Sequence, residues 1–153
     1  MPEFDSAFMK SKGQPIEYNG ETLMRIDRLY VPKRFQVSVS LISTNSEWKQ
    51  GVRIKTKGKM IAEYSKIESK SFIIWEDFII YEPTFRCSGT SQNNELLVWN
   101  AWDQGDGVIQ AWLGGTAMKK EILSGNHFRY YCNDGHLDEN FDDIVFDIEI
   151  IGL

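Results

Sequence analysis

The residues whose spacing holds the most chemistry lie near the end of the chain. Cys132-Asn133-Asp134-Gly135-His136-Leu137-Asp138-Glu139-Asn140-Phe141-Asp142-Asp143 runs straight into the apolar stretch Ile144-Val145-Phe146-Asp147-Ile148-Glu149-Ile150. Between Cys132 and Leu153 there are seven carboxylates and no Lys or Arg. Like charges a few ångströms apart destabilise one another, so these groups cannot all stay ionised without cations, or Lys and Arg brought in from elsewhere. Aspartates separated by Asn and Gly are the oxygen-rich composition that a hard divalent cation, above all calcium, prefers. Asp138, Asn140, Asp142 and Asp143 follow an i, i+2, i+4, i+5 spacing and are the candidate metal ligands, with Asp134 and Asn140 as polar groups for a bound ligand. The competing reading is an acidic loop that caps the last strand and binds nothing.

A second group of candidates is aromatic. Trp99 and Trp102 lie three apart, so on one strand they point to opposite faces, one into the core and one toward the surface or a partner. Trp112 precedes Gly114-Gly115, where missing side chains let a ligand or a neighbouring backbone approach. An exposed indole beside Asn and Asp suits the face of a sugar ring, and it also suits membrane headgroup depth. Trp99, Trp102 and Trp112 are therefore candidate ligand-binding residues, with core packing as the alternative.

Catalytic patterns are weak. His127 and His136 share no close spacing with a Ser or Cys nucleophile, and Gly-x-Ser-x-Gly, a P-loop and a dinucleotide fingerprint are all missing. The expectation is a protein that is not an enzyme. Cys87 and Cys132 lie too far apart for a close-spaced thiolate metal site; they permit one disulfide or two free thiols, and read first as buried thiols on strands.

The elements that must position these residues are strands. Period-two alternation dominates, as in Phe35–Leu41, Val52–Thr56, Glu95–Trp102, His127–Cys132 and Ile144–Ile150. Ser71–Tyr81 reads as two strands, or one bent at Glu76-Asp77; Asp106-Gly107 reads as a hairpin turn returning through Val108–Trp112. The pattern predicts an all-β, single-domain antiparallel β-sandwich over residues 18–153, preceded by an irregular arm over 1–17 with Gly13 and Pro15 as breakers.

Composition narrows the partners. At 42% hydrophobic and 13% aromatic, the 153 residues can bury a full core. A net charge of −5 excludes a general nucleic-acid binder. No apolar run is long enough for a transmembrane helix. The acidic start, Met1-Pro2-Glu3, is unlike a secretory signal and points to a soluble chain, cytosolic or in mature secreted form. Seven Lys or Arg from Lys49 to Lys70 face only Glu63 and Glu68. They read either as a solvated face guarding a sheet edge, or as a patch for an anionic lipid headgroup, a sulfated glycan or an acidic partner. Together with the acidic tail they also permit homo- or hetero-dimer formation.

The Asp138-Glu139-Asn140-Phe141-Asp142-Asp143 loop resembles the calcium loop of the small calcium-dependent bacterial lectins, which hold metal and sugar together on a nine-stranded sandwich. Asn140 stands where that pattern has Asp and Asp142 where it has Asn, and the chain ends in Gly152-Leu153 rather than glycine. The size, the Trp- and Gly-rich middle and the Cys-Asn-Asp-Gly tail also resemble the aegerolysin-like sandwiches, including the nematode longevity-associated proteins. The first resemblance implies calcium-assisted glycan binding. The second implies metal-independent binding of membrane lipid or protein through exposed Trp and a basic hairpin.

Overall fold

The computed structural model describes residues 4–153; Met1, Pro2 and Glu3 of the acidic start lie outside the described residues. In chain order the elements are α1 (Asp5–Lys10), β1 (Ile16–Tyr18), β2 (Glu21–Leu23), β3 (Asp27–Val31), β4 (Arg34–Thr44), β5 (Lys49–Ala62), β6 (Glu68–Trp75), α2 (Glu76–Ile79), β7 (Thr84–Ser88), β8 (Asn94–Asp103), β9 (Ile109–Gln110), β10 (Ala117–Ser124), β11 (His127–Asn133) and β12 (Ile144–Gly152). The five clear alternating segments all fall inside strands. On β4, Phe35, Val37 and Val39 are fully buried while Arg34 is exposed, as period two requires.

Ten of the strands form one antiparallel sheet. Its path runs β10-β11-β12-β4-β7-β5-β8-β3, with β6 on β5 and β9 on β8. The sheet curls so that Met24, just before β3, bridges Met118 on β10, and the inner faces enclose one core that includes Val37, Val39, Ile54, Val98, Tyr130 and Phe146. The fold is thus all-β, one domain, antiparallel. β5 is its longest strand, and it pairs with three others. Its first half pairs with β8 and its last residues with β7, while β6 lies on its other side.

The stretch expected to be irregular is ordered from Phe4 onward. Phe4 and Phe8, one helical turn apart, place both rings on one side of α1, and they pack against Leu23, Ala117 and Phe141 in a second, smaller core. Arg25 anchors the helix from beneath. Its guanidinium donates to the carbonyls of Thr116, Trp112 and Gly114, each at 2.9 Å, pairs with Asp5 at 2.8 Å and lies 4.6 Å from the Phe8 ring centroid. The Ser71–Tyr81 stretch also departs from expectation. β6 ends at Trp75, and Glu76–Ile79 forms one helical turn, with its two acids in the positive first turn and Ile79 fully buried. Cys87 and Cys132 are free and buried.

Removing Arg25 takes a donor from three carbonyl groups, of which Gly114 keeps the Phe4 amide, beneath a helix held by two rings. Arg25→Met is expected to cost about 2–4 kcal/mol in urea unfolding. Limited proteolysis should then cut first within residues 5–17; uniform cleavage, or unchanged stability, would refute the anchoring role.

Candidate metal-binding cleft

The acidic stretch forms the connection from β11 to β12, and Asn133 shapes it. The Asn133 side chain donates to the Asp138 carbonyl at 2.9 Å and accepts the Phe141 amide at 2.6 Å. Its own carbonyl accepts from the Asn100 side chain at 2.9 Å. The loop is closed at its base by the Asp143 amide donating to the Cys132 carbonyl at 3.0 Å, and it is tied to the end of β4 by the Asn45 amide donating to the Asp143 carbonyl at 3.1 Å.

Asp134 lies at the centre and is fully buried. One of its oxygens accepts from the His136 amide at 3.0 Å and faces His136 Nδ1 at 2.6 Å; the other accepts from Ser46 Oγ at 2.6 Å and Gln50 Nε2 at 3.0 Å. Its amide donates to Asp143 Oδ2 at 2.9 Å. His136 is held from a second side by the Trp48 indole, stacked with ring centroids 3.7 Å apart, and its Nε2 lies 3.4 Å from Glu47 Oε1. Trp48 in turn stacks on Trp102. Gly135 is required here, because a Cβ on it would come within 2.9 Å of the Trp102 ring.

Among the described residues, no Lys or Arg pairs with Asp134, Asp138, Asp142 or Asp143. The charge is managed by hydrogen bonds and protons instead. Burial pushes the Asp134 carboxyl up, but the Ser46 hydroxyl, the His136 amide and the His136 ring together bring it below its ordinary value. Burial pushes Asp143 up, and the neighbouring charges of Asp134 and Asp138 add to this against the Asp134 amide, so that it titrates at about 7. Burial likewise raises Asp138. Burial lowers His136, but hydrogen bonding and attraction to Asp134 outweigh it and leave the imidazole raised.

Asp134, His136 and Asp143 offer ligand atoms within 4.8 Å of one another. Their roles differ. Both Asp134 oxygens already accept hydrogen bonds, which suits a group that orients an imidazole rather than one that coordinates an ion directly. The unsatisfied acceptors lie around it. Among the described residues, the buried side-chain polar atoms without a partner are Asp138 Oδ1, Asp142 Oδ1, Gln50 Oε1, Asn100 Oδ1 and Trp102 Nε1. Two belong to the loop; the other three belong to residues that bond Asp134, bond Asn133 or pack on Gly135. Buried acceptors without donors are costly, and Asp138 Oδ1 and Asp142 Oδ1 are carboxylate oxygens of the kind a hard cation takes. An open cleft of about 490 Å³ is lined by Asn45, Ser46, Glu47, His136, Asp138 and Asp143, so that of the five residues with unpartnered atoms only Asp138 faces it. A divalent ion therefore fits the donor set. Nothing in the set identifies calcium.

The sequence candidates separate accordingly. Asp138 and Asp143 line the cleft. Asp142 turns one oxygen to the Asn45 side chain at 2.9 Å, and Asn140 is exposed. Trp102 points inward in register with Gln50, and Trp99 sits on the opposite sheet face, yet both are buried. The face that was to leave one of them open is covered by Trp112, tilted over Trp99 at 4.9 Å. Trp112 is 43% exposed and donates its indole N–H to the Arg25 carbonyl at 2.8 Å. The Gly114-Gly115 turn admits backbone rather than ligand, because a Cβ on Gly115 would meet the His136 carbonyl at 2.0 Å. His136, Ser46, Trp48 and Gln50 escaped sequence reasoning. The Asp134-x-His136 spacing was available as a signal, whereas Ser46 and Gln50 meet Asp134 across 88 and 84 residues.

No family model, no curated protein and no solved structure matches this chain.

The Asp143 titration has a definite sign. Unfolded, an aspartate releases its proton near ~3.9, whereas the native group holds it to about 7, so native stability falls as pH rises across that window and levels off above it. His136, with its raised value, favours the native state below its unfolded value and loses this contribution as pH rises through the native one, in the same direction. Asp143→Asn keeps an oxygen for the Asp134 amide and should flatten the decline. Its melting temperature relative to the parent should rise between pH 5 and pH 8 by a few degrees; parallel pH profiles would contradict the assignment.

Proposed function

We propose that the protein is a non-enzymatic recognition protein that holds a divalent cation through Asp138, Asp143 and His136, and uses it to engage hydroxyl groups of a glycan in the adjoining cleft. The observation that carries this reading is the gathering of unpartnered buried oxygens around a loop that holds acids without Lys or Arg. Carboxylate oxygens alone suit calcium; the His136 nitrogen moves the preference toward a borderline ion such as manganese or zinc. The ion would neutralise the loop and offer open coordination positions to paired hydroxyls. Asp134 and Trp48 would fix the imidazole.

The Asp134–His136 pair also invites a hydrolase reading, in which a hydroxyl nucleophile bonds the far side of the imidazole. Ser46 is the nearby hydroxyl, but its Oγ donates to Asp134, and the His136 Nε2 faces Glu47 instead. That arrangement supports binding over nucleophilic chemistry.

Metal ligands must be deprotonated, so affinity should climb as pH rises through about 7, where Asp143 loses its proton. At pH 8, calcium, manganese or zinc at about a hundredfold excess over Kd should raise the melting temperature on the order of 5–10 °C. Trp48 fluorescence should change with it. Asp138→Asn and Asp143→Asn should abolish the shift, and His136→Gln should abolish it for manganese and zinc while sparing calcium. No shift with any of the three ions would overturn the reading, and glycan retention that survives chelator would remove the cation from recognition.

A further inference from the structure

The outer face of β5 carries positive charge that the fold leaves unanswered. Lys55, Lys57 and Lys59 alternate with buried Thr56 and Gly58, so all three point outward and are exposed. None makes an ion pair among the described residues. Lysines often guard an exposed sheet edge, but Lys55 is paired on both sides, with Ser71 and Leu97, and Lys59 with Ser88, while only residues 56–58 pair with neither neighbour. Edge protection does not account for Lys55.

Strand register extends the charge. Lys55 lies opposite Leu97, which lies opposite Arg28; Lys59 lies opposite Ser88, which lies opposite Arg34. Directly paired residues share a face, so Arg28, Lys55, Lys57, Lys59 and Arg34 form a basic band across five strands. Of the acids beside it, Glu63 is taken by Lys66 and Arg86, and Glu95 makes only a long 3.8 Å contact with Arg28.

The band contains a groove. β8 leaves β5 after Lys55 and β7 joins it at Lys59, and the β7–β8 connection borders the gap. There a cleft of about 440 Å³ is lined by Arg28, Lys55, Lys57, Thr90, Ser91 and Asn93 among others. Its loop wall is fixed in place. Buried Asn94 accepts the Ser91 amide at 3.2 Å and donates back to the Ser91 carbonyl, and the Gly89 amide donates to the Lys33 carbonyl at 2.6 Å. Gly58 lets the wall seat closely, since a Cβ there would fall 1.9 Å from the Ser88 carbonyl oxygen.

We propose that this groove is a second binding site, for a phosphate monoester carried on a hydroxyl-rich ring, with Arg28, Lys55 and Lys57 on the phosphate and Thr90, Ser91 and Asn93 on the hydroxyls. Three cations against Glu95 leave a local charge of +2 at the groove. That matches the roughly −1.5 to −2 of a phosphate monoester near neutral pH. Arg28 supplies a forked donor, while Lys55 and Lys57 act as point charges. The hydroxyl and amide side chains opposite have both donors and acceptors, which a ring of hydroxyls can use and a bare anion cannot. The same chemistry occurs in a soluble sugar or cyclitol phosphate and in the headgroup of a phosphorylated inositol lipid.

The test is calorimetric titration in chelator, which silences the metal cleft, with inositol monophosphate and with free inositol. It is paired with flotation on phosphatidylcholine vesicles with and without phosphatidylinositol monophosphate. The parent should bind the monophosphate and not free inositol. Lys55→Glu/Lys57→Glu should weaken binding about tenfold or more, whereas Lys10→Glu/Lys70→Glu, with the same change in net charge, should stay within about twofold. Retained melting temperatures and metal responses in both variants show that neither fold nor metal cleft has been lost. Flotation with the inositol lipid assigns the membrane-borne source, and binding of the soluble monophosphate without flotation assigns the soluble one. Failure of the parent to bind either form overturns the site, as does equal weakening by both variants, which reports only diffuse charge.

Discussion

The buried carboxylate of Asp134 is the constraint on which the loop end of the molecule depends. A fully buried charge without a counter-charged Lys or Arg survives only when hydrogen bonds replace its water, and Asp134 takes partners on both oxygens. Each partner comes from a different place. Ser46 belongs to the β4–β5 turn, Gln50 to the start of β5, and His136 to the loop itself. One side chain thereby fastens the β4–β5 corner to the β11–β12 connection, and the Trp48–His136 stack seals the join.

That solution has consequences for the next acid along. Burial first, and then the charges of ionised Asp134 and of Asp138, outweigh the Asp134 amide bonded to Asp143 and push Asp143 up to about 7. Splitting two neighbouring carboxyls in this way relieves repulsion without a basic residue, but it leaves Asp138 Oδ1 and Asp142 Oδ1 unsatisfied. The pattern resembles a site poised for a cation more than a loop optimised for stability, since a purely structural loop would gain by replacing such groups with neutral ones.

Much of this was legible in the residues. The alternating runs on β4, β5, β8, β11 and β12 specify their strands because one face of each is apolar and the other is not. The acidic crowding of 134–143 was visible as a single segment, which the fold makes the β11–β12 connection. What stayed hidden was whatever depends on distant partners. β10 was obscured by Lys119, Lys120 and Glu121, whose charge is answered across strands by Glu21, Asp27 and Tyr131. α1 forms because its two phenylalanines find Leu23, Ala117 and Phe141, a surface that does not exist until the sheet has curled. The roles within the loop were invisible for the same reason. Asp134 and Asp138 are alike in sequence, and only the arrival of Ser46 and Gln50 turns the first into a buried anchor and leaves the second facing the cleft.

β5 brings the two charged regions into relation. Gln50 at its start touches Asp134, and Lys57 lies seven residues farther on, roughly 23 Å along an extended strand. Screening in physiological salt acts over about 8 Å, so acid at one end and base at the other do not neutralise each other within one molecule. The β5–β8 ladder, which pairs Lys49 to Lys55, fixes most of this span, and the two regions cannot approach without breaking it. The separation explains how a chain with a net charge of −5 keeps three neighbouring lysines unpaired. Apart from Glu95, which shares their groove, the acids of the Asp134 loop lie too far along the strand to reach them, and a net positive charge remains beside Lys55 and Lys57.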